Sequence, residues 1–246
     1  MANSWSGIVV KPDTENGIVF VSGQWTVPHV NASSGDSSCY IWIGIDGYGD
    51  GYQYVLQAGI SLEVKKGRLT PNAWWEWTPD QVRPLPLGSF AVLAGDVISC
   101  KIEGQLRSST AIITLQNHRT NQVANFPNPV RAQSRVSLRG NYAEWIVEAA
   151  IENSQSKLCN YGQVQFSECV ALDSTSGNTL DPFGGIALNL EQNGQVVSYG
   201  SSSGPGQVIC SQDPATVAST VAPNAIAARA LLASSITSRE IGSNIS

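Results

Sequence analysis

The chain has 246 residues, of which 42% are hydrophobic and only 13% are charged, and its formal net charge at pH 7 is -5. Soluble proteins carry roughly 25% charged residues, so this chain has an unusually weakly charged surface, while its hydrophobic content excludes a disordered chain. The 14 basic side chains are scattered and outnumbered by 19 acidic ones, which argues against a nucleic-acid partner. No apolar run approaches the roughly 18 residues that a bilayer span requires, so we expect no membrane partner either.

Short runs of β-branched and aromatic residues, separated by clusters of Gly, Pro, Asn, Asp and Ser, continue to about residue 210. The predicted strands, in chain order, are GIVFVSGQWTV, CYIWIGID, YQYVLQAGISLEV, AWWEW, GDVISCKIEG, STAIITLQN, NYAEWIVEAAI, YGQVQFSECVAL and GQVVSYG. Lys66-Gly67 and Asn193-Gly194 are typical of two-residue hairpin turns. Because no long helical pattern interrupts the strands, we expect an all-β antiparallel sandwich or jelly roll.

The composition changes after Cys210, where the chain becomes rich in Ala and Ser. Pro223 is suited to begin a helix that runs from Asn224 to about Glu240. We therefore predict a sandwich domain over residues 1–211 and a C-terminal tail over residues 212–246, which either docks on the sandwich or is mobile.

The cysteines and histidines do not form a metal-binding or nucleophile motif. There is no CxxC or HExxH motif and no GxSxG near His29 or His118, so we expect neither a metal site nor a Ser–His or Cys–His nucleophile. Cys159 and Cys169 enclose a short segment, which fits a disulfide or two buried thiols equally well. The remaining three cysteines are Cys39, Cys100 and Cys210.

Carboxylates are the remaining candidates for chemistry. Asp46, Glu76, Glu144 and Glu148 lie inside apolar strand runs, in the company of five of the seven tryptophans. Those tryptophans are Trp42, Trp74, Trp75, Trp77 and Trp145. A carboxyl group against an aromatic wall has a raised pKa and suits acid–base chemistry. The alternative is that these acids lie on the solvated face of a half-buried sheet.

The period of two along a strand predicts which of these side chains share a face. It places Trp42 with Asp46, Trp74 with Glu76, and Glu144 with Glu148, and it leaves Gln57 accessible near the end of its strand. If the strands adjoin, Trp42, Asp46, Gln57, Glu76 and Glu148 form one cleft. Glu144 and Glu148 are then about 13 Å apart along the strand, too far for the carboxyl pair of a glycosidase.

Two other functions remain open. A glycosidase could still pair Glu76 with Glu148 from different strands. A non-catalytic sandwich could bind carbohydrate or peptide through its tryptophans.

Six sequence blocks in order, over residues 4 to about 210, resemble the family of glutamic peptidases, the eqolisins. The blocks are Ser4-Trp5-Ser6-Gly7, Trp25-Thr26-Val27-Pro28, Ile41-Trp42-Ile43-Gly44-Ile45-Asp46-Gly47, Leu56-Gln57-Ala58-Gly59, Ala73-Trp74-Trp75-Glu76-Trp77 and Ala143-Glu144-Trp145-Ile146-Val147-Glu148. The resemblance implies a concanavalin A-like sandwich of two long antiparallel sheets. It also implies an acid-active, pepstatin-insensitive endopeptidase that cleaves polypeptides and needs no metal or cofactor. We expect a monomer, because nothing in the sequence requires a second copy.

The resemblance further implies a catalytic dyad of Gln57 and Glu148. Glu148 as a carboxylate would take a proton from the attacking water and then protonate the leaving amine, while the amide of Gln57 would stabilise the oxyanion. The supporting residues implied by the match are Trp42, Asp46, Glu76, Trp74 and Glu144, of which Asp46 and Glu76 would orient Gln57 and Glu144 would be structural.

The chain start has neither the basic n-region nor the apolar h-region of a signal peptide. Since the family match begins at Ser4, we expect the mature form of a secreted enzyme, which favours a disulfide between Cys159 and Cys169. The low charge fits such a role, because in strong acid only the 14 Lys and Arg and the 2 His remain charged and repel one another.

Overall fold

The computed structural model describes residues 4–12, 16–49, 54–149, 157–175 and 178–215. Within them it contains sixteen strands, which are β1 (Trp5–Val10), β2 (Ile18–Thr26), β3 (Ser37–Ile45), β4 (Leu56–Lys65), β5 (Arg68–Trp77), β6 (Arg83–Pro84), β7 (Val97–Gly104), β8 (Thr110–Asn117), β9 (Gln122–Val123), β10 (Val130–Arg131), β11 (Ala143–Glu148), β12 (Gln163–Asp173), β13 (Thr179–Leu180), β14 (Ile186–Gln192), β15 (Gln195–Gly204) and β16 (Gln207–Ser211). A short 3-10 turn covers Ala32–Ser34. The predicted helix from Asn224 to Glu240 lies outside the described residues.

The strands form two antiparallel sheets that share one edge. The first sheet has the order β1-β11-β3-β4-β5-β6, and the second has the order β10-β8-β7-β2-β12-β16-β15-β14. Since β14 also pairs with β1, the chain of hydrogen-bonded strands is continuous from one sheet to the other. Strands β3, β4 and β11 of the first sheet pack on strands of the second sheet. The predicted antiparallel sandwich is confirmed.

The core lies between the sheets and is built by period-two alternation. In the first sheet the inward side chains include Ile41, Ile60, Trp75, Trp77 and Trp145, all of which belong to the main hydrophobic cluster. Three of the five tryptophans that accompany the acids in sequence therefore pack in the core. Trp42 and Trp74 belong to a separate cluster on the opposite face of the same sheet.

Both predicted hairpins are present. Lys66 and Gly67 have φ of 52° and 73°, and Asn193 and Gly194 have φ of 53° and 74°, as the tight turns between β4 and β5 and between β14 and β15 require. The strand prediction missed β1, β14 and β16, which are short and contain Gly, Ser, Asn or Gln between their apolar residues. Among the described residues, no helix is long and apolar enough to cross a membrane.

The disulfide favoured by the sequence is not formed. All five cysteines are buried free thiols. The thiol of Cys159 faces Cys39 rather than Cys169, because the backbone N–H of Cys159 donates to the carbonyl of Ser38 and so places residue 159 beside β3.

Candidate active site

The face of the first sheet that points away from the core carries its own apolar cluster, which we call the aromatic face. Its buried members are Val9, Trp42, Val55, Trp74, Ile146 and Leu188, and Trp5, Tyr40, Tyr48 and Tyr142 pack around them. Aromatic rings meet edge to face at three places, with centroids 4.9 Å apart for Trp5 and Trp42, 5.4 Å apart for Tyr40 and Trp74, and 5.2 Å apart for Tyr48 and Tyr142. An apolar face of this kind on the outside of a sandwich is typical of a binding surface.

Strand register brings the predicted site residues onto this face. Strands β11, β3, β4 and β5 are neighbours, so the adjacency that the sequence left open is present. Glu144 pairs with Gly44, Gly44 with Gln57, and Gln57 with Glu76, which puts the three polar side chains in one row across the sheet. Glu148 lies on the same face, four residues farther along β11.

Gln57 and Glu76 are hydrogen-bonded partners. The Nε2 of Gln57 donates to Oε2 of Glu76 over 2.7 Å. Burial raises the pKa of Glu76, and the hydrogen bond from Gln57 opposes that shift. Gln57 itself is only 5% exposed, so the expectation that it is accessible is wrong. Its amide nitrogen is held by the acid on the neighbouring strand. The expectation that Glu76 orients Gln57 agrees with this contact.

Glu148 is half-buried at the end of β11, within reach of indole donors. The Nε1 of Trp42 donates to its Oε2 over 2.9 Å, and the side chains of Trp5 and Ser4 donate to it as well. Burial, with a smaller contribution from the charge of Glu76, raises the pKa of Glu148 to about 7 against these hydrogen bonds. A carboxyl group with a pKa this far above its usual range is suited to move protons.

Gln57 and Glu148 lie on a diagonal of the sheet with Trp42 between them. Trp42 pairs with Ile146 on one side and with Gly59 on the other. Glu148 is two residues beyond Ile146, and Gln57 is two residues before Gly59, so the two side chains flank the Trp42 indole from opposite corners. Their shared neighbours are Trp42, which binds Glu148, and Glu76, which binds Gln57 and acts electrostatically on Glu148.

Asp46 has a different role from the one expected. Its carboxylate accepts hydrogen bonds from the backbone N–H groups of Arg139, Gly140 and Asn141 at 2.8, 3.2 and 2.7 Å. The strand ends at Ile45 and Asp46 has φ of 73°, which turns its carboxylate towards the loop before β11 instead of towards Gln57. Asp46 therefore fixes that loop.

Glu144 and Trp74 are buried and carry polar atoms without a partner. Glu144 is 0% exposed, and among the described residues neither of its carboxyl oxygens has a hydrogen-bond donor. Burial, and to a lesser extent the charge of Asp46, raises the pKa of Glu144 well above its usual range. The Nε1 of Trp74 likewise has no acceptor among the described residues.

Trp5 and Tyr40 are site residues that the sequence analysis missed. Both pair directly with Glu148, one on each side, through β1 and β3. Tyr40 could have been found, because it is two residues from Trp42 in a strand and so shares its face. Trp5 carried no such signal, since its strand was not predicted.

The alternative chemistries find no support in the described part of the chain. No group of three or more His, Cys, Asp or Glu side chains there could hold a metal ion. His29 and His118 are exposed, as expected from their positions.

Comparisons with known proteins point to one family. The model of the Peptidase A4 family matches residues 3–212. Aspergillopepsin-2 of Aspergillus niger is 29% identical over 225 residues, which cover 82% of this chain and 75% of that protein.

Two solved structures share the fold. Scytalido-glutamic peptidase with a transition state analog inhibitor is 25% identical, with a TM-score of 0.69 over 85% of this chain and 98% of that one. Aspergilloglutamic peptidase from Aspergillus niger is 26% identical, with a TM-score of 0.61 over 71% and 98% of the two chains.

Fold, site and relatives together define a β-sandwich peptidase, a hydrolase of the glutamic class. The chain belongs to the Peptidase A4 family. The enzyme class expected from the sequence, an acid endopeptidase of the glutamic type, is confirmed at the level of the family.

Proposed function

We propose that this peptidase cleaves its substrates with Glu148 and Gln57 as the catalytic pair. The observation that carries the proposal is the position of the Glu148 carboxyl, held by the Trp42 indole on the aromatic face diagonally opposite Gln57. Both residues also match the glutamate and glutamine of the family pattern.

In this proposal Glu148 holds a proton in the resting enzyme. The pKa of about 7 means that the side chain is a carboxylic acid at acid pH, whereas the sequence led us to expect a resting carboxylate. The physical reason is desolvation on a face lined by aromatic rings. A carboxylic acid can accept a proton from water at one oxygen while the other oxygen donates its proton to the substrate.

The two halves of the reaction then balance. Water attacks the scissile carbonyl carbon, one water proton passes to Glu148, and the original Glu148 proton passes to the carbonyl oxygen. In the second half Glu148 protonates the amine nitrogen and recovers a proton from the tetrahedral intermediate as the C–N bond breaks. The carboxyl group is regenerated, and no metal or cofactor takes part.

Gln57 supplies an amide N–H to the substrate oxygen. One of its two N–H groups is used by Glu76, so the other is left to stabilise the developing tetrahedral centre. A single donor of this kind is worth roughly 3–4 kcal/mol in a preorganised site. Because Gln57 is neutral at every pH, this contribution persists in strong acid.

The aromatic face fits an extended polypeptide substrate. Trp5 and Tyr40 are partly exposed and offer apolar contacts, while the buried Trp42 and Trp74 support them from below. All of these side chains come from one chain, so the site requires no second copy and we propose a monomer. We also propose that the enzyme is secreted, where its weakly charged surface suits an acid medium.

Digestion of denatured casein at about pH 4 tests the activity, at a pH where Glu148 is protonated. Pepstatin and a chelator are included to suppress contaminating peptidases, and fragments are analysed by mass spectrometry. We expect internal cleavage under these conditions. Intact casein together with reducing sugar released from a polysaccharide would show a glycosidase, and binding of peptide or carbohydrate without cleavage would show a binding module.

A further inference from the structure

Glu144 is a buried acid that the proposed mechanism does not use. It lies in the same row as Gln57, with only Gly44 between them, which separates their Cα atoms by two inter-strand spacings of about 4.8 Å each. A Cβ atom on Gly44 would lie 2.8 Å from Oε1 of Glu144. The Glu144 carboxyl group therefore covers Gly44 and reaches towards Gln57.

The buried oxygen atoms of the side chains on either side of Gly44 are all acceptors in their ordinary states. Both carboxyl oxygens of Glu144 and the Oε1 of Gln57 are buried, and none has a donor among the described residues. Leaving such buried groups unpaired is destabilising. A proton on Glu144 would convert one of its oxygens into a donor and would satisfy two of these atoms with one hydrogen bond.

Among the described residues, the charge that acts on Glu144 is that of Asp46 at the end of β3, which disfavours a second negative charge. Arg139 acts on Asp46. On the other neighbouring strand, β1 presents Val9 opposite Glu144, and Glu76 on β5 lies beyond Gln57. The raised pKa of Glu144 is consistent with a neutral group.

We propose that Glu144 is a positioning residue that donates its carboxylic acid proton to Oε1 of Gln57 across Gly44. Together with the bond from Gln57 Nε2 to Glu76, this second bond determines which end of the carboxamide faces which acid. One N–H of Gln57 is then kept towards the substrate. Glu144 itself does not touch the substrate. The inference rests on the proposed function of Gln57.

Two neutral variants of similar size separate this role from simple packing. In Glu144→Gln a side-chain N–H replaces the acid O–H, so kcat on a defined peptide is expected within about threefold of wild type. In Glu144→Leu the donor is absent, so kcat is expected to fall roughly 10- to 100-fold with little change in KM, since one hydrogen bond is worth about one to two powers of ten in rate. Thermal unfolding of both variants is measured alongside, and Glu144→Met repeats the apolar case if Glu144→Leu does not fold.

Three results would overturn the inference. Wild-type kcat in the apolar variants would show that Gln57 needs no donor from Glu144, and an equal loss of kcat in Glu144→Gln and Glu144→Leu would show that the donor is not what matters. An effect on unfolding temperature without an effect on kcat would assign Glu144 to stability alone. Failure of the catalytic pair is recognised separately, because it would appear as an active Glu148→Gln enzyme.

Discussion

The Nε1 of Trp42 donates a hydrogen bond of 2.9 Å to Oε2 of Glu148. Trp42 is completely buried. It fits against the next strand because Gly59 there has no side chain. A Cβ atom there would lie 2.8 Å from the Cβ of Trp42. A rigid donor on a carboxyl group stabilises the ionised form, so Trp42, together with Trp5 and Ser4, lowers the pH at which Glu148 loses its proton.

Replacing Trp42 with Phe keeps an aromatic ring and removes the donor. The pKa of Glu148 is then expected to rise above its value of about 7, because the lost hydrogen bond favours the ionised form. Since the protonated form is the active one in our account, activity should be lost at a higher pH than in wild type. We expect kcat to fall about tenfold, which is about 1.4 kcal/mol.

The pH dependence of kcat/KM measures this shift. Trp25→Phe is a matched control, since Trp25 is also buried but its Nε1 has no acceptor among the described residues. If the pH at which kcat/KM is lost stays the same or falls in Trp42→Phe, the role given to the Trp42 hydrogen bond is contradicted.

Removing the charge of Glu76 should lower the pH at which activity is lost. The charge of Glu76 raises the pKa of Glu148, so in Glu76→Gln the pKa of Glu148 falls and activity is lost at a lower pH than in wild type. Glu76→Ala also removes the acceptor of Gln57 Nε2, and its kcat is expected to fall a further 10-fold or so. Glu63→Gln, on the same sheet and partly exposed, controls for the loss of one negative charge. Equal kcat in Glu76→Ala and Glu76→Gln would show that the hydrogen bond to Gln57 is unimportant.

Gly59 is expected to tolerate no side chain. An added Cβ would lie 2.0 Å from the carbonyl oxygen of Ile41 and 2.7 Å from the Cα of Trp42, and neither backbone atom can move alone. Gly59→Ala should therefore lower the free energy of unfolding by about 3 kcal/mol or more, measured by urea denaturation. Gly204→Ala is the control, because no heavy atom lies within 4 Å of its added Cβ, and its effect should stay within about 0.5 kcal/mol. A Gly59→Ala protein as stable as the control would refute the close approach of β3 and β4.

The loss of stability of the fold at low pH depends on Asp96. The hydrogen bond from Arg119, followed by those from Leu93 N–H and Asn117, lowers the pKa of Asp96 to about 2 from 3.8. A lowered folded-state pKa contributes stability above the unfolded pKa and loses it as pH falls through the folded one. Asp96→Asn should therefore cost about 2 kcal/mol at neutral pH, and the difference from wild type should shrink between about pH 4 and pH 2.

Unfolding in denaturant at neutral pH and at about pH 2 measures both values. Glu103→Gln, an exposed acid on β7, controls for the loss of one charge. A difference between Asp96→Asn and wild type that is the same at both pH values would show that the Asp96 charge does not contribute.

Some contacts of the site follow from the sequence and others do not. Gln57 and Glu76 lie symmetrically about the hairpin turn at Lys66-Gly67, so the turn motif alone predicts that they pair. The contact between Trp42 and Glu148 joins strands about 100 residues apart, and no local pattern specifies which distant strands adjoin. The face that Trp42 and Asp46 share by period two does not predict where the Asp46 carboxylate lies, because the strand ends one residue before Asp46 and the backbone turns there.

The kcat/KM of Glu148→Gln on a defined peptide at about pH 4 tests the central claim most directly, since wild-type Glu148 is then protonated. Glutamine has the size of Glu148 and can still accept from Trp42, but it cannot exchange a proton. We predict a loss of about 1,000-fold or more, with an unchanged unfolding temperature and an unchanged affinity for the peptide. A folded Glu148→Gln enzyme that cleaves within about tenfold of the wild-type rate would show that Glu148 does not carry the proton transfer.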